Sequence, residues 1–277
     1  MNENSTILIT GCSSGIGLTT AQTLKQRGYR VICSARKQQD VTRLIAEGFE
    51  CLQLDLADSK SIDQAVTQVI ELTGGKLDAL FNNGAFGQPG AVEDLSRDVL
   101  RRQFETNVFG THELTNRIIP LMRKQGHGRI IYNSSVLGFV AMTYRGAYNA
   151  SKFALEGLAD TLRLELKGTN INIVIIEPGP ILSNFRQNAY QLFIQNIDPE
   201  RSAHKETYKA METRLQKKGA AVPFTLPADA VAEKVIKALE AKRPRIRYFV
   251  TFPTYLFAVL KRMLSARMLD RMLGMIT

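Results

Sequence analysis

The chain has 277 residues, 44% of them hydrophobic, with 36 lysine and arginine residues against 26 aspartate and glutamate residues and a formal net charge of +10. Its length suits one large domain, and its hydrophobic content is sufficient for a core, which excludes extensive disorder. Because eight of the basic residues but only one acidic residue lie within residues 242–277, the rest of the chain is nearly neutral, and the net charge does not indicate nucleic-acid binding.

The amino-terminal segment and the cysteines bear on the cellular compartment. The opening MNENSTILITG has neither a basic leader nor a cleavage site, so we expect a cytoplasmic protein without a signal peptide. The cysteines are odd in number and form no Cys-x-x-Cys or Cys/His cluster, which predicts reduced thiols and no metal site: they are Cys12, Cys33 and Cys51.

Short apolar runs alternate with amphipathic, helix-like stretches along the chain. Strands that alternate with helices at this spacing predict βαβ units, and runs that are apolar on both faces predict a parallel sheet covered by helices on two sides. We therefore predict an α/β fold with one doubly wound domain over residues 1–252, followed by an extension over residues 253–277. The six apolar runs span residues 6–10, 30–35, 51–56, 77–83, 129–135 and 171–179.

A glycine-rich segment, TGCSSGIG, joins the first predicted strand to the first predicted helix. Glycines at positions 11, 15 and 17 allow a tight turn and a close approach of the backbone to a ligand. The helix amino terminus adds free N–H groups and the positive end of a dipole. At this position in a βαβ chain, the segment predicts a site for the pyrophosphate of a dinucleotide.

The end of the second predicted strand bears on the choice of dinucleotide. An acidic residue there would bind the ribose 2′-hydroxyl of NAD. This sequence instead has Arg36 and Lys37, with no carboxylate at the strand end. A guanidinium fits a 2′-phosphate, so we predict NADP(H) rather than NAD(H).

Several motifs in fixed order resemble those of short-chain dehydrogenases/reductases over residues 5–250. Within that family, the sequence details resemble hydroxysteroid and retinol dehydrogenases, and most closely a bacterial NADP-dependent aldehyde reductase. The resemblance implies a Rossmann domain with a mostly parallel seven-stranded sheet, assembled as a homodimer or homotetramer. The motifs are TGCSSGIG (10–17), Asp-Leu (55–56), NNGA (82–85), NVFG (107–110), the serine pair (134–135), Tyr-x-x-x-Lys (148–152) and EPGPI (177–181).

Tyr148 and Lys152 are spaced to share one face of a helix. A free phenol has a pKa near about 10, and a neighbouring ammonium favours its ionised form, so the pair suits proton transfer at a carbonyl oxygen. The family resemblance adds Ser135 as a hydrogen-bond donor to the substrate oxygen. It also implies that Lys152 holds the nicotinamide ribose and that Asn107 anchors a water linking Lys152 to a proton relay.

The resemblance also extends the cofactor site beyond the glycine segment. The motif NNGA transposes the family's more usual Asn-Asn-Ala-Gly, so we expect Ala85 to adopt backbone geometry that glycine normally provides. The predicted cofactor contacts are Gly11, Ser13, Ser14, Gly15, Ile16, Gly17, Arg36, Asp55, Leu56, Asn82, Gly84, Tyr148, Lys152, Pro178, Gly179, Ile181 and Ser183.

Residues 183–226 are long for a connection between a strand and a helix. By the resemblance they form a lid over the substrate, and lids of this kind control turnover and specificity. Their apolar side chains suit a substrate with a hydrophobic body. These side chains are Phe185, Tyr190, Leu192, Phe193 and Ile194.

These observations favour an NADPH-dependent reductase that acts on a hydrophobic aldehyde or ketone and can oxidise the matching alcohol. A hydroxysteroid- or retinol-type alcohol dehydrogenase is the alternative within the same chemistry. A regulator that binds NADP without turnover and a membrane-docked interaction protein are alternatives of other classes. Retention of the predicted catalytic set disfavours the regulator: Ser135, Tyr148, Lys152 and Asn107.

The carboxy-terminal extension is basic and apolar, but charges interrupt it too often for it to span a bilayer. Its apolar stripe changes side after Ser265 and Ala266, which predicts a break there between two amphipathic helices. The extension could pack on the body or on a second subunit, or it could lie on an anionic membrane at its cytoplasmic face. The two stripes are Leu256, Val259, Leu260, Met263 and Leu264, then Met268, Leu269, Met272 and Ile276.

Overall fold

The computed structural model describes residues 5–275, and within them it contains one parallel sheet of seven strands in the order β3-β2-β1-β4-β5-β6-β7. Every neighbouring pair is parallel. The predicted α/β fold with a seven-stranded sheet is therefore confirmed. The strands are β1 (Thr6–Ile9), β2 (Arg30–Ala35), β3 (Glu50–Gln53), β4 (Ala79–Asn82), β5 (Gly128–Asn133), β6 (Ile171–Glu177) and β7 (Arg247–Phe249).

Helices connect successive strands and cover both faces of the sheet. A π-helical turn over Glu105–Gly110 lies between α4 and α5. The α-helices are α1 (Gly15–Gln26), α2 (Gln38–Ala46), α3 (Ser59–Thr73), α4 (Arg97–Phe104), α5 (Thr111–Gln125), α6 (Gly146–Glu165), α7 (Phe185–Asn196), α8 (Lys205–Gln216), α9 (Asp229–Glu240), α10 (Phe252–Met263) and α11 (Ala266–Gly274).

The core lies in two layers, one on each face of the sheet. Successive strand residues alternate between the layers, so Ile7 and Ile9 face one layer and Leu8 faces the other. Side chains of α1, α2 and α9 complete the first layer, and those of α3, α5 and α6 complete the second. Burial on both faces explains why the strands are continuously apolar in sequence.

The strand order places the site. In open α/β sheets, ligands bind at the carboxyl ends of the strands where the chain direction across the sheet reverses. Here β1 lies between β2 and β4, which makes the β1–α1 loop the centre of that edge. The loops that follow β4, β5 and β6 reach the same edge, and these loops contain most of the predicted site residues.

The carboxy-terminal extension forms two helices, and the chain breaks between α10 and α11 at Leu264 and Ser265. The predicted break near Ser265–Ala266 is confirmed. Phe257 is buried, and with Leu260 and α11 it covers a hydrophobic cluster within residues 136–142, directly before α6. The extension therefore packs on the body beside α6.

Of the stripe predicted for α10, Leu260 packs in this way, whereas Leu256, Val259 and Met263 are exposed. Phe252 and Tyr255, which lie outside the predicted stripe, extend this exposed face at helical spacing. Ile276, the last member of the second predicted stripe, lies outside the described residues. The exposed side chains are Phe252, Tyr255, Leu256, Val259 and Met263. No helix among residues 5–275 is long and apolar enough to cross a membrane.

Candidate active site

The β1–α1 loop makes the turn that its glycines predict. Gly11 and Gly15 have φ values of +72° and +58°, in the left-handed region that favours glycine. A Cβ atom on Gly17 would lie 2.3 Å from the carbonyl oxygen of Gly11. The loop can therefore pack this closely against α1 only with glycine at that position.

The amino terminus of α1 is open to a ligand. Ser14 occupies the N-cap position with no side-chain hydrogen bond to the helix, and the first turn contains no acidic residue. The backbone oxygen of Ser13 accepts a 2.7 Å hydrogen bond from Arg43, which fixes the loop from outside. Unpaired N–H groups with no competing carboxylate suit a pyrophosphate, so the loop fits the dinucleotide that the sequence predicts.

A hydrogen-bonded brace that sequence analysis did not identify holds the loop to β4 and β5. The Thr10 hydroxyl accepts hydrogen bonds from the backbone N–H groups of Asn83 and Gly84, at 2.9 and 2.8 Å. The Asn83 amide donates to the carbonyl oxygen of Thr10 at 2.8 Å, and its oxygen accepts from Asn133 at 2.9 Å. Only the tertiary structure shows that these residues meet.

The NNGA segment differs from its sequence-based description. The Asn82 amide donates to Thr115 on α5 at 3.0 Å, so the side chain points away from the glycine loop that Asn83 contacts. Ala85 is absent from the non-glycine residues with positive φ, so the expectation that it adopts glycine-like geometry is wrong. Gly84 lies against Leu56 and Thr10, where a Cβ atom would come within 3.1 and 3.2 Å of their side chains.

Two further predicted contacts lie at the strand ends beyond β1. Arg36 follows β2 and is exposed, and the Gln53 amide donates to its backbone oxygen at 3.0 Å. No carboxylate forms an ion pair with Arg36 anywhere in residues 5–275, so its guanidinium is available to a phosphate. Asp55 caps the turn after β3 by accepting a 2.9 Å hydrogen bond from Ala57.

The segment after β6 passes over the glycine loop. The backbone oxygen of Pro178 accepts a 2.8 Å hydrogen bond from Val136, which joins this segment to the loop after β5. Gly179 is so close to Thr251 that a Cβ atom would lie 2.1 Å from its hydroxyl oxygen. Ile181 forms a β-bridge with Leu226 across the base of the 183–226 segment.

Ser183 reaches the other side of the same site. A Cβ atom added to Gly15 would lie 3.1 Å from the Cβ atom of Ser183. Ser183 and the start of α1 therefore flank one cleft. The Ser183 hydroxyl accepts a 3.4 Å hydrogen bond from the backbone of Phe185.

Ser135 lies directly after β5 and caps a short 3₁₀ turn. Its hydroxyl oxygen accepts a 3.1 Å hydrogen bond from the backbone N–H of Leu137. The same hydroxyl lies close enough to Tyr148 to lower the pKa of that phenol. Because the bond from Leu137 uses a lone pair and not the hydroxyl proton, that proton can point toward a substrate oxygen.

Tyr148 lies in the first turn of α6 and remains partly exposed toward the cleft. Burial raises the pKa of Tyr148 above its usual value, and this effect outweighs that of Ser135. The direction is opposite to the one that pairing with Lys152 predicts. At neutral pH the side chain is a protonated phenol and can donate a proton.

Lys152 is buried one helical turn after Tyr148. Its Nζ donates a 2.6 Å hydrogen bond to the backbone oxygen of Asn133 and lies 5.6 Å from the centre of the Tyr148 ring. Burial lowers the pKa of Lys152 to about 8, while Glu156 opposes that decrease. The ammonium form therefore predominates at neutral pH, close enough to stabilise a phenolate as it forms.

Asn107 lies in the π-helical turn, a feature that occurs often at functional sites. The side chain accepts a hydrogen bond from the backbone N–H of Phe86 at 3.1 Å and donates to its oxygen at 2.9 Å. It also donates to the Ser151 hydroxyl at 3.1 Å, which places it against α6 between Tyr148 and Lys152. No hydrogen bond joins Asn107 directly to Lys152 within residues 5–275.

A buried charge cluster behind α6 was not predicted from the sequence. Arg247 on β7 donates to Glu156 at 2.6 Å and to Glu177 at 2.5 Å. Glu156 also accepts a 2.5 Å hydrogen bond from Ser134, next to Ser135. Burial and the neighbouring Glu156 raise the pKa of Glu177 to about 8. The cluster links β6, β7 and α6 behind the catalytic residues.

The 183–226 segment closes the cleft from above. The Phe185 ring contacts the Tyr148 ring edge-on, with 5.2 Å between their centres. Gly87 makes room for this contact, because a Cβ atom there would lie 2.7 Å from the Phe185 ring. Phe193 is fully buried within the segment, so not all of its predicted apolar residues are available to a substrate.

The three cysteines are free thiols, and within residues 5–275 no group of three or more His, Cys, Asp and Glu side chains could hold a metal ion.

Comparison with known proteins identifies the family. The model of the short chain dehydrogenase family matches residues 5–191. An uncharacterized oxidoreductase, YbbO, from Escherichia coli K12 is 42% identical over 267 residues, which cover 96% of this chain and 93% of that protein. The human 17-beta-hydroxysteroid dehydrogenase type 1 is 32% identical over 260 residues, which cover 88% of this chain and 77% of that protein.

The fold shows the same kinship. The crystal structure of a short-chain dehydrogenase from Streptomyces avermitilis superposes with a TM-score of 0.76 at 26% identity, covering 94% of this chain and 95% of that one. Actinorhodin polyketide ketoreductase, whose structure contains NADPH, superposes with a TM-score of 0.73 at 26% identity, covering 90% of this chain and 97% of that one. With the glycine loop, the Ser-Tyr-Lys arrangement and the sheet order all in place, the chain belongs to the short-chain dehydrogenase/reductase family of oxidoreductases.

Proposed function

We propose that this protein is an NADPH-dependent reductase of a hydrophobic aldehyde or ketone. One observation carries the proposal: Ser135, Tyr148 and Lys152 converge beside an open dinucleotide loop, and Tyr148 is held in its protonated form. A protein that only binds NADP does not need a proton donor beside the cofactor site. We therefore favour an enzyme over an NADP-sensing regulator.

The choice of NADPH is supported by the end of β2. Arg36 is exposed there with no carboxylate partner in the described residues, and Lys37 follows it at the start of α2. An arginine fork matches a phosphate in charge and in shape. An NAD-binding site would instead offer a carboxylate at this position.

The proposed mechanism assigns one task to each side chain. A bound NADPH would supply the hydride to the carbonyl carbon. Ser135 donates a hydrogen bond to the carbonyl oxygen, and Tyr148 transfers its phenolic proton to that oxygen, so an alcohol is formed. The Lys152 ammonium stabilises the phenolate that remains, and Asn107 positions this part of α6 through Ser151.

The substrate's hydrophobic body is supported by the cleft and by the segment above it, which we propose is a lid. Phe185 contacts Tyr148, and exposed apolar side chains continue along the segment at Ile194, Val222 and Phe224. A steroid- or retinoid-like alcohol is the alternative substrate, and it would use the same three catalytic residues in the reverse direction.

Turnover tests the proposal directly. Purified protein is supplied with NADPH and a panel of straight-chain and aromatic aldehydes and ketones, and NADPH consumption is followed by its absorbance. We expect consumption that depends on the carbonyl compound and falls when NADH replaces NADPH. If no member of the panel consumes NADPH and no alcohol reduces NADP, the protein is not such a reductase.

We further propose a homodimer or homotetramer, supported by exposed apolar side chains on one flank of the molecule. Phe153, Leu158 and Leu164 on α6 are 41%, 40% and 64% exposed, and Phe109 is 51% exposed. Light scattering during size-exclusion chromatography tests this: the native protein should elute at twice its chain mass or more, and a Leu164→Lys variant should shift toward the monomer.

We also propose that the outward face of α10 docks on an anionic lipid surface at the cytoplasmic face of the membrane. Its apolar stripe adjoins Phe224, whose ring lies 5.1 Å from that of Phe252. Arg262 and Arg267 are exposed nearby. An apolar stripe bordered by basic residues suits shallow insertion among anionic headgroups.

A further inference from the structure

Three arginines at the junction between α6 and residues 183–226 have no acidic partner among the described residues. They are Arg145, Arg186 and Arg214, all half-buried. No carboxylate oxygen in residues 5–275 lies within 4 Å of any of their guanidinium nitrogens. By contrast, Arg247 makes ion pairs with three carboxylates on the other side of α6. The chain thus leaves one group of half-buried arginines without neutralising partners.

The hydrogen bonds of the three arginines leave most of their donors unused. Arg145 donates only to the Thr143 backbone oxygen, at a long 3.3 Å. Arg186 donates to the backbone oxygens of Lys217 and Gly219, the latter at 2.8 Å. The Arg214 side chain makes no hydrogen bond to any described residue. A guanidinium has five N–H donors, so a large hydrogen-bonding capacity remains.

The position of the arginines connects them to the proposed reaction. Arg145 lies at the N-cap of α6, three residues before Tyr148. Arg186 follows Phe185, whose ring contacts Tyr148. Arg214 lies in the last turn of α8, and the bond from Arg186 to Lys217 brings α7 to the end of that helix. The arginines therefore come from both sides of the junction between the lid and the catalytic helix.

Their electrostatics show that the arrangement is unfavourable by itself. Burial and, to a smaller extent, the like charge of Arg214 lower the pKa of Arg145 to about 10. Burial and the charge of Arg186 similarly lower the pKa of Arg214. Half-buried like charges without counter-ions destabilise a fold, and perturbed groups of this kind concentrate at functional sites. Arg214 and Lys217 also line an open cavity of about 550 Å³ on the lid.

We propose that these three arginines bind an oxyanion carried by the substrate itself, a carboxylate, phosphate or sulfonate at a distance from the carbonyl group. The inference rests on the proposed reductase function and narrows its substrate to an amphiphile with a carbonyl, an apolar body and an anionic end. Guanidinium forks match such oxyanions in two-point hydrogen bonds. Because two of the arginines lie on the lid and one lies on α6, binding the anion would also hold the lid closed over Tyr148.

The test compares straight-chain aldehydes that differ only in a terminal carboxylate. We expect the native enzyme to prefer the carboxylated member of a pair, measured as the ratio of kcat/KM values. In Arg145→Gln and Arg214→Gln that ratio should fall by at least about tenfold, the loss expected for one charge-assisted hydrogen bond. Arg201→Gln removes the same charge from an exposed position on the lid and should leave the ratio within about twofold.

A binding measurement separates this inference from the reductase proposal. Calorimetry with the fatty acid and the alcohol of the same chain length reports anion binding without any turnover. Tighter binding of the fatty acid, weakened in Arg214→Gln but not in Arg201→Gln, supports the anion site even if no aldehyde is reduced. Equal affinity for the acid and the alcohol, or equal loss in both variants, overturns the inference and leaves the reductase proposal standing.

Discussion

Replacing Arg36 with aspartate should exchange the preference for NADPH for a preference for NADH. Arg36 lies at the end of β2 with its backbone held by Gln53 and its guanidinium unpaired in the described structure. The variant would lose the proposed phosphate contact and place a negative charge where the 2′-phosphate binds. The same carboxylate could accept a hydrogen bond from the ribose 2′-hydroxyl of NADH.

The size of the effect follows from the exposure of the side chain. One charge-assisted hydrogen bond contributes about 1.5–3 kcal/mol, so its loss should raise the KM for NADPH by roughly tenfold to a hundredfold. If kcat/KM for NADH rises by a similar factor, the NADPH-to-NADH ratio of kcat/KM values changes by about a hundredfold or more. Screening at the surface favours the lower end of this range.

The assay measures kcat/KM for both cofactors with one saturating aldehyde. Arg36→Gln serves as the intermediate, since it removes the positive charge without adding repulsion. Lys76→Asp, with the same change in charge in an exposed turn before β4, serves as the control for general electrostatics. If the ratio of kcat/KM for NADPH to kcat/KM for NADH changes no more in Arg36→Asp than in Lys76→Asp, Arg36 does not bind the 2′-phosphate.

Three further predictions concern the loop, the buried charges and the extension. Gly17→Ala should weaken NADPH binding about a hundredfold in fluorescence titrations, because its Cβ would lie 2.3 Å from the oxygen of Gly11; near-native affinity would contradict the close packing. Glu177 has a pKa raised to about 8, so its carboxyl group destabilises the fold as pH rises from its unfolded value toward 8. Glu177→Gln should match the native protein near pH 4 and exceed its unfolding free energy by about 4 kcal/mol near pH 8 in urea titrations, whereas a constant difference would refute the pKa shift. Val259→Asp should abolish flotation with anionic vesicles while retaining activity, because it places a charge on the exposed apolar face of α10. Neither protein should float with neutral vesicles. Flotation of the variant with anionic vesicles would show that this face of α10 does not bind the lipid.

Much of the fold could be predicted because its pattern is local. Six of the seven strands overlap apolar runs that stand out in the sequence, and none begins more than one residue before its run. The helices between them follow from their periodicity. The seventh, Arg247–Phe249, has three residues and no apolar run, so only the family resemblance implied it. The break at Ser265 was also visible, because a change in the side of an apolar stripe is a property of neighbouring residues.

The parts that could not be predicted depend on contacts between distant segments. Asn83, rather than Asn82, meets the glycine loop because the strand directs alternate side chains to opposite faces, and the motif does not say which face is which. Arg247 and Glu156 pair across 91 residues of sequence. The raised pKa of Tyr148 likewise comes from burial, whereas the sequence showed only the neighbouring charge of Lys152.

Loss of turnover without loss of cofactor binding in Tyr148→Phe tests the central claim most directly. The change removes only the phenolic oxygen and keeps the ring that contacts Phe185. We expect NADPH to bind to the variant within a few-fold of its native affinity, while kcat with the best aldehyde falls by at least about a thousandfold. A variant that retains more than a few per cent of the native kcat would contradict the assignment of Tyr148 as the proton donor.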